Sequence, residues 1–198
     1  CWASTLSKEG NANLAPYSFF NIFSSNPPIL VFSSNRRGRD NTTKDTYHNL
    51  LDNGEVVVNI VSYNLVHQMN ISSTDYAENI NEFSKAGVTP IASEVIKPFR
   101  VKEAKVQLEC VLEDTKHLGN EGGAGTLFIC AIQKNHIHAS ILADDGLIDA
   151  QKIDLVGRLG RNDYVRASGN AVFSINNPFE KQNIGFDNLP KGLIESNL

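Results

Sequence analysis

The segment NLAPYSFFN at residues 13–21 constrains the fold more than any other part of this sequence. Its apolar and aromatic residues are typical of a β-strand, yet Pro16 stands inside the run. Because proline has no backbone N–H, it interrupts the hydrogen bonding of a central strand. We therefore expect an edge strand, a bulge, or a place where a bound ligand packs instead of a strand.

Small polar side chains stand at the ends of two strand-like runs. Ser4 and Thr5 lie in the first run, and Ser33, Ser34 and Asn35 end another. Hydroxyl and amide groups at strand ends can bond the edge of a planar ring. Solvent-facing strand residues and turn formers give the same pattern, so the signal leaves both interpretations open.

The run TKDT at residues 43–46 opens a predicted helix, after a polar loop at residues 35–41 that we expect to close over a ligand. Free N–H groups and the positive dipole end at a helix start favour an anion such as a phosphate. Lys44 would add a charge and Thr46 a hydroxyl donor, whereas Asp45 would contact backbone amides or ligand hydroxyls. The alternative is ordinary capping by Thr43.

Hydrophobic periodicity predicts a chain dominated by antiparallel β structure with helices inserted. Strand-like runs occupy residues 2–6, 13–20, 29–33, 55–61, 105–112, 126–132, 137–142, 164–167 and 171–175, and helical runs occupy 44–53, 64–69 and 76–85. A polar turn joins the first two runs as a hairpin. Together these elements predict a small antiparallel barrel.

Length and charge exclude several classes of function. The 198 residues with 41% hydrophobic content fit one domain, 1–198, better than two. A net charge of -4 and scattered Lys and Arg residues argue against nucleic acid as a partner. No stretch approaches the roughly 20 apolar residues of a membrane span, and the amino end lacks a signal-peptide layout. We therefore expect a cytoplasmic protein.

The three cysteines form no CxxC pair. Cys110 and Cys130 each lie in an apolar strand-like run, so we expect buried free thiols. Because the chain begins at Cys1 and not at Met, we expect it to be part of a longer protein. His136 and His138 would share one side of a strand and could bind a metal. No third ligand is evident, which favours surface histidines and no metal site.

These motifs together resemble the flavin reductase-like, FMN-binding split-barrel family, whose pattern is Ser-Thr followed by Asn-x-Ala-Pro-x-Ser-Phe-Phe-Asn. The resemblance extends from Trp2, through GEVVVN at residues 54–59, to the turn at residues 157–164. It implies a mainly β fold with inserted helices: a six-stranded antiparallel split barrel with Greek-key features, a homodimer, and FMN near the subunit interface. Residues from about 176 to 198 resemble the carboxy-terminal extension of flavoredoxin-like members, which would cover the flavin or the partner subunit.

The resemblance also implies roles for individual residues. Ser4 and Thr5 would flank the isoalloxazine ring of FMN. The ring and the ribityl chain would be lined by Ala15, Pro16, Tyr17 and Ser18. The ribityl phosphate would be held by Ser33, Ser34, Lys44, Asp45 and Thr46, and Asn35 and Arg158 complete the predicted FMN-binding set.

One departure from the family pattern concerns the late glycine turn. Many short members have a histidine before it, thought to meet the nicotinamide, and the turn at residues 156–164 has none. Arg158 or Arg161 could bind a pyridine-nucleotide phosphate instead. The leading hypothesis is an oxidoreductase that passes a hydride from NADH or NADPH to FMN for a monooxygenase or another redox partner. The alternatives are a non-enzymatic FMN-binding electron carrier that docks to redox proteins, and a scaffold that binds no flavin.

Overall fold

The structure is a computed structural model and describes residues 1–77 and 80–175. Its strands are β1 (Trp2–Leu6), β2 (Ala12–Pro16), β3 (Phe20–Ser25), β4 (Pro28–Asn35), β5 (Glu55–Asn59), β6 (Pro90–Ile91), β7 (Arg100–Val101), β8 (Val106–His117), β9 (Gly125–Ile137), β10 (Leu155–Gly160) and β11 (Asp163–Ala167). Seven of them form one sheet in the order β2-β1-β5-β8-β9-β4-β3, in which every neighbouring pair is antiparallel. The other four form two small sheets, β6-β7 and β10-β11.

The large sheet is curled so that its two edges approach each other. β2 and β3 lie at opposite edges, yet only residues 17–19 separate them in the chain, a link that spans at most about 14 Å. The Tyr17 N–H bonds the Cys1 carbonyl at 2.8 Å, and the Ser33 N–H bonds the Phe19 carbonyl at 2.9 Å. Since β2 and β3 do not pair, the described sheet is not a closed barrel. It has seven strands, and the expected count of six was wrong.

Strand β3 is one of four strands that the sequence analysis missed, the others being β6, β7 and β10, the last of which covers part of the turn expected at residues 157–164. The pattern predicted one strand from 13 to 20, but the chain leaves β2 after Pro16 and starts β3 at Phe20. Pro16 pairs with Trp2 at the end of an edge strand, which confirms the edge prediction. Because the strand-like residues continue past Pro16, the sequence pattern does not show that the chain crosses here from one edge of the sheet to the other.

Two predicted strands are short 3₁₀ turns instead. Strand β9 ends at Ile137, and the turn Ala139–Ile141 replaces the strand expected at 137–142, where the His138 side chain accepts the Ser140 N–H. Such local bonds from side chain to backbone compete with strand pairing. The turn Gly169–Ala171, with Gly169 at φ 57°, precedes a stretch in which the strand expected at 171–175 does not form.

The helices are α1 (Asp45–Asn53), α2 (Val66–Ile71), α3 (Glu82–Ala86) and α4 (Ala150–Ile153). The prediction for α1 is confirmed, except that Lys44 and not Thr43 is the N-cap, and no side chain caps the helix. The helix predicted at 76–85 begins only at Glu82, after the capping residue Asn81. Residues 78 and 79 lie outside the described part, as does the predicted extension at 176–198.

Strand β1 separates two hydrophobic clusters because its side chains alternate between the sheet faces. Ala3 belongs to the cluster that contains Leu50 of α1, and Trp2 belongs to the cluster under α2 and α3. Cys110 and Cys130 are fully buried free thiols in the first cluster, as predicted.

Candidate functional site

A cavity of about 480 Å³ opens where the chain crosses from β2 to β3. Four segments form its walls: residues 15–17, the segment 36–39 with Asn35, the start of α1 at residues 44–46, and residues 72–76. Residues 36–43 are called the arginine loop and residues 72–76 the strap. Asn13 and Glu82 complete the lining. The volume lies in the range of small-molecule sites.

Lys44 brings a positive charge to this cavity. It is the N-cap of α1, and the first backbone N–H groups of the helix point out of its free end. Its Nζ atom lies 5.4 Å from the centre of the Tyr17 ring, and within the described residues it forms no ion pair. Burial, followed by repulsion from Arg37, lowers the pKa of Lys44. An anion placed here would gain both a cation and the helix dipole.

Thr46 and Thr5 belong to one buried hydrogen-bond network beneath the cavity. The Asn13 side-chain amide donates to Thr46 Oγ1 at 2.8 Å and to Thr5 Oγ1 at 3.2 Å. The Asn49 amide donates to Thr5 Oγ1 at 3.0 Å. The network ties β1, β2 and α1 together, so it fixes the helix start against the sheet.

Tyr17 forms the part of the wall beneath Lys44. Its side chain is 5% exposed, and its ring packs on Phe32 with centroids 5.3 Å apart. Burial raises the pKa of Tyr17, and the neighbouring hydroxyls of Thr46 and Ser34 oppose the shift. Neither hydroxyl meets hydrogen-bond geometry, so the Tyr17 hydroxyl has no partner among the described residues.

The end of β4 positions Asn35 on the cavity wall. Ser33 Oγ donates to Asn35 Oδ1 at 3.1 Å, and both face Gly125 of β9. A Cβ on Gly125 would lie 2.6 Å from Ser33 Oγ and 3.2 Å from Asn35 Oδ1. Glycine is therefore required beside this pair.

The arginine loop is held in place by backbone and side-chain hydrogen bonds. The Arg36 N–H bonds the Ala124 carbonyl at 2.9 Å, and the Arg36 guanidinium bonds Asn41 Oδ1 at 2.7 Å. Arg37 donates to Thr42 Oγ1 at 3.2 Å and to the Thr43 carbonyl. Three arginines thus line the site in a loop that the sequence analysis treated only as a cover. The string RRGR between SSN and TKDT was the signal that could have identified them.

Carboxylates balance part of this positive charge. Asp75 accepts from Arg37 Nη2 at 2.7 Å and also pairs with Arg39. These contacts, chiefly the hydrogen bond from Arg37, lower the pKa of Asp75. Glu82 is 7% exposed and accepts the Leu14 N–H at 3.2 Å. Burial raises the pKa of Glu82. As the pH falls, Glu82 therefore loses its negative charge before Asp75 does.

Seven of the predicted FMN-binding residues line the cavity: Ala15, Pro16, Tyr17, Asn35, Lys44, Asp45 and Thr46. Ser4, Thr5, Ser18, Ser33 and Ser34 do not line it, although Thr5 and Ser33 support residues that do. Arg158 lies in β10, where it donates to the Arg161 carbonyl at 2.5 Å and stacks 5.9 Å from the Tyr164 ring. It belongs to the small β10-β11 sheet and not to the cavity wall.

The histidines considered as metal ligands have other partners. His136 Nε2 lies 2.7 Å from Glu109 Oε1, and His138 Nδ1 lies 2.8 Å from Ser140 Oγ. The described ranges 1–77 and 80–175 contain no group of three or more His, Cys, Asp or Glu side chains that could hold a metal ion. Among the same residues, no helix is both long and apolar enough to cross a membrane.

The curled sheet, open between β2 and β3, defines a split-barrel protein, and a cavity lined by basic and acidic side chains lies at that opening. The family description "Flavin reductase like domain" matches residues 1–152. The chain belongs to this flavin reductase-like family.

Sequence and structure comparisons find similar proteins. The chain is 38% identical over 174 residues to an uncharacterized protein of Aquifex aeolicus (strain VF5), with 88% of this chain and 86% of the relative covered. Nitrilotriacetate monooxygenase component B from Bacillus cereus is 34% identical with a TM-score of 0.80, over 88% of this chain and 85% of that one. The flavoredoxin of Desulfovibrio vulgaris (Miyazaki F) is 23% identical with a TM-score of 0.72, over 87% of each chain, and supports the fold alone.

Proposed function

We propose that this protein binds FMN and transfers a hydride from NADH or NADPH to the flavin. The observation that carries the proposal is Lys44, an ammonium that forms no ion pair with a described residue and lies at the open end of α1 on the wall of a ligand-sized cavity. A ribityl phosphate is the part of FMN that such a site would recognise. Family membership supports a flavin as the ligand.

The cavity residues fit the two chemically different ends of FMN. The cationic end consists of Lys44, the free N–H groups of α1 and the nearby Arg37. The other wall, residues 15–17, is largely apolar and suits a planar ring. Asp45 stands at the cationic end and, in this proposal, accepts from ligand hydroxyls and not from the phosphate.

When bound, FMN supplies the hydride chemistry at its ring. The residues of this chain would bind the phosphate, hold the ring beside Tyr17 and exclude water from the apolar wall. The Asn13–Thr46 hydrogen bond would keep the phosphate end in position, because it fixes the start of α1 on the sheet. No side chain is assigned as an acid or a base.

A second candidate function is a non-enzymatic FMN-binding electron carrier. The observation that favours it is that none of the described residues lining the cavity is a histidine. Such a protein would be reduced by a redox protein and not by a pyridine nucleotide.

Several further properties belong to this proposal. We infer a single domain, a homodimer that brings the flavin near the subunit interface, and a cytoplasmic location. The similarity to a component of a monooxygenase supports a monooxygenase or another redox protein as the recipient of reduced flavin.

An anaerobic absorbance titration tests the proposal. FMN is added to the purified protein, followed by NADH or NADPH, and the visible flavin band is recorded. Bleaching of bound flavin by a nicotinamide is the expected result. Tight FMN binding without bleaching would favour the electron carrier, and the absence of FMN binding would refute both candidates.

A further inference from the structure

One carboxylate links two walls of the cavity. Asp75 of the strap accepts from Arg37 Nε at 3.1 Å and Arg37 Nη2 at 2.7 Å on one oxygen, and its other oxygen pairs with Arg39. Within the described residues, these are the hydrogen bonds and ion pairs that join the strap to the arginine loop. The three side chains are called the clasp. It lies on the solvent side of the cavity, since the Asp75 side chain is 36% exposed and that of Arg39 is 68% exposed.

The two sides of the clasp are anchored differently. The arginine loop is bonded to the turn between β8 and β9, where the Gly123 N–H bonds the Arg36 carbonyl at 3.1 Å. The strap is anchored at its first residue, Ser72, whose Oγ accepts the Trp2 indole N–H at 2.8 Å. After Ser72, the backbone bonds of the strap are local ones to residues 70–74. The rest of the strap therefore depends on Asp75 for its hold on the opposite wall.

We infer that the clasp is a gate on the cavity, which opens each time the ligand enters or leaves. Partly exposed ion pairs are weak, because water and salt screen them, so the clasp can open without unfolding the chain. Two guanidinium groups on one carboxylate nevertheless form charge-assisted hydrogen bonds that favour the closed arrangement. The ligand part of this inference rests on the FMN-binding function proposed above.

Two variants weaken the clasp to different degrees. Asp75→Ala removes all of its bonds, whereas Arg39→Ala removes only the pair from Arg39 and keeps the bonds from Arg37 to Asp75. Neither removes the bonds within the arginine loop from Arg37 to Thr42 Oγ1 and to the Thr43 carbonyl. The matched control is Asp52→Ala. The Asp52 side chain is 38% exposed and forms one surface ion pair, to Lys8 at 2.8 Å, away from the cavity lining.

The first measurement needs no flavin. Hydrogen–deuterium exchange is followed in peptides that cover the strap, in the protein without ligand. Loss of the whole clasp is expected to raise the exchange rate of the strap by about five-fold in Asp75→Ala, and by less in Arg39→Ala, which keeps the bonds from Arg37. The control is expected to match the unaltered protein. Unchanged exchange in Asp75→Ala and Arg39→Ala would overturn the clasp as the element that holds the strap.

The second measurement is the rate of FMN binding and release by stopped-flow fluorescence. Both rates are expected to rise by about five-fold in Asp75→Ala, and by less in Arg39→Ala, which keeps the bonds from Arg37 to Asp75. An unchanged rate of either binding or release in Asp75→Ala would overturn the gate, because a gate limits both entry and exit. If the unaltered protein binds no FMN, the proposed function and the gate for FMN both fail, while the exchange experiment still decides whether the clasp closes the cavity.

Discussion

Lys44→Met tests the phosphate position most directly. Methionine keeps the length of the side chain and removes the charge that lies 5.4 Å from the Tyr17 ring. Because no ion pair with a described residue holds Lys44, its charge is free for a ligand. A charge-assisted hydrogen bond contributes about 1.5–3 kcal/mol, and partial exposure places Lys44 toward the lower end. We therefore expect a loss of FMN affinity of about 10- to 30-fold.

Riboflavin provides the internal control, since it carries the same ring without the phosphate. Both ligands are titrated by flavin fluorescence into the unaltered protein, Lys44→Met and Lys8→Met. Lys8 is an exposed lysine paired with Asp52 and does not line the cavity. Riboflavin affinity is expected to change by less than about two-fold in Lys44→Met. An equal loss for both ligands, or no loss for FMN, would refute the phosphate position.

Three further predictions concern buried groups. Burial raises the pKa of Glu82, so its ionised form costs stability above the folded pKa. Glu82→Gln should raise the free energy of unfolding at neutral pH by about 1 kcal/mol, and urea titrations should show this gain disappear below about pH 4. Burial raises the pKa of Cys130 to about 12 and that of Cys110 further. A thiol reagent should therefore label both cysteines only in denaturant. Fast labelling of the native protein would contradict their burial. Gly125→Ala should cost about 1–2 kcal/mol in thermal unfolding, and Ser33→Ala in the same chain should recover most of it.

Local patterns were sufficient for the cationic end of the site. TKDT predicts a helix start at which Lys44 and Thr46 stand, and the structure has both residues at the start of α1, because a helix N-terminus is a local feature, determined by residues within one turn. The edge position of Pro16 follows from its missing N–H, again a property of a single residue. The positions of Pro16 and of the start of α1 could therefore be predicted without the tertiary structure.

The wall formed by the strap could not be predicted from local sequence. The strap lies 28 or more residues after Lys44, and its place in the site depends on the preceding helix α2, whose Met69 belongs to the same hydrophobic cluster as Trp2. Nothing in the local sequence of the strap indicates that it lies beside the start of α1 in the folded chain. The same holds for Ser4, which is buried in β1 away from the cavity lining, since strand periodicity alone does not say which face meets a ligand.

The split in the sheet explains why the site lies where it does. A closed ladder between β2 and β3 would engage the backbone of both edges, whereas residues 15–17 instead leave the ladder at Pro16 and form a cavity wall. The start of α1 is fixed beside that gap by the buried bonds from Asn13 to Thr5 and Thr46. Thus Pro16, at which the chain leaves the ladder, and Asn13, which donates to both threonines, lie on the same strand, β2. A substitution that shifts β2 is expected to disturb ring and phosphate contacts together, whereas one in α1 alone would affect only the phosphate.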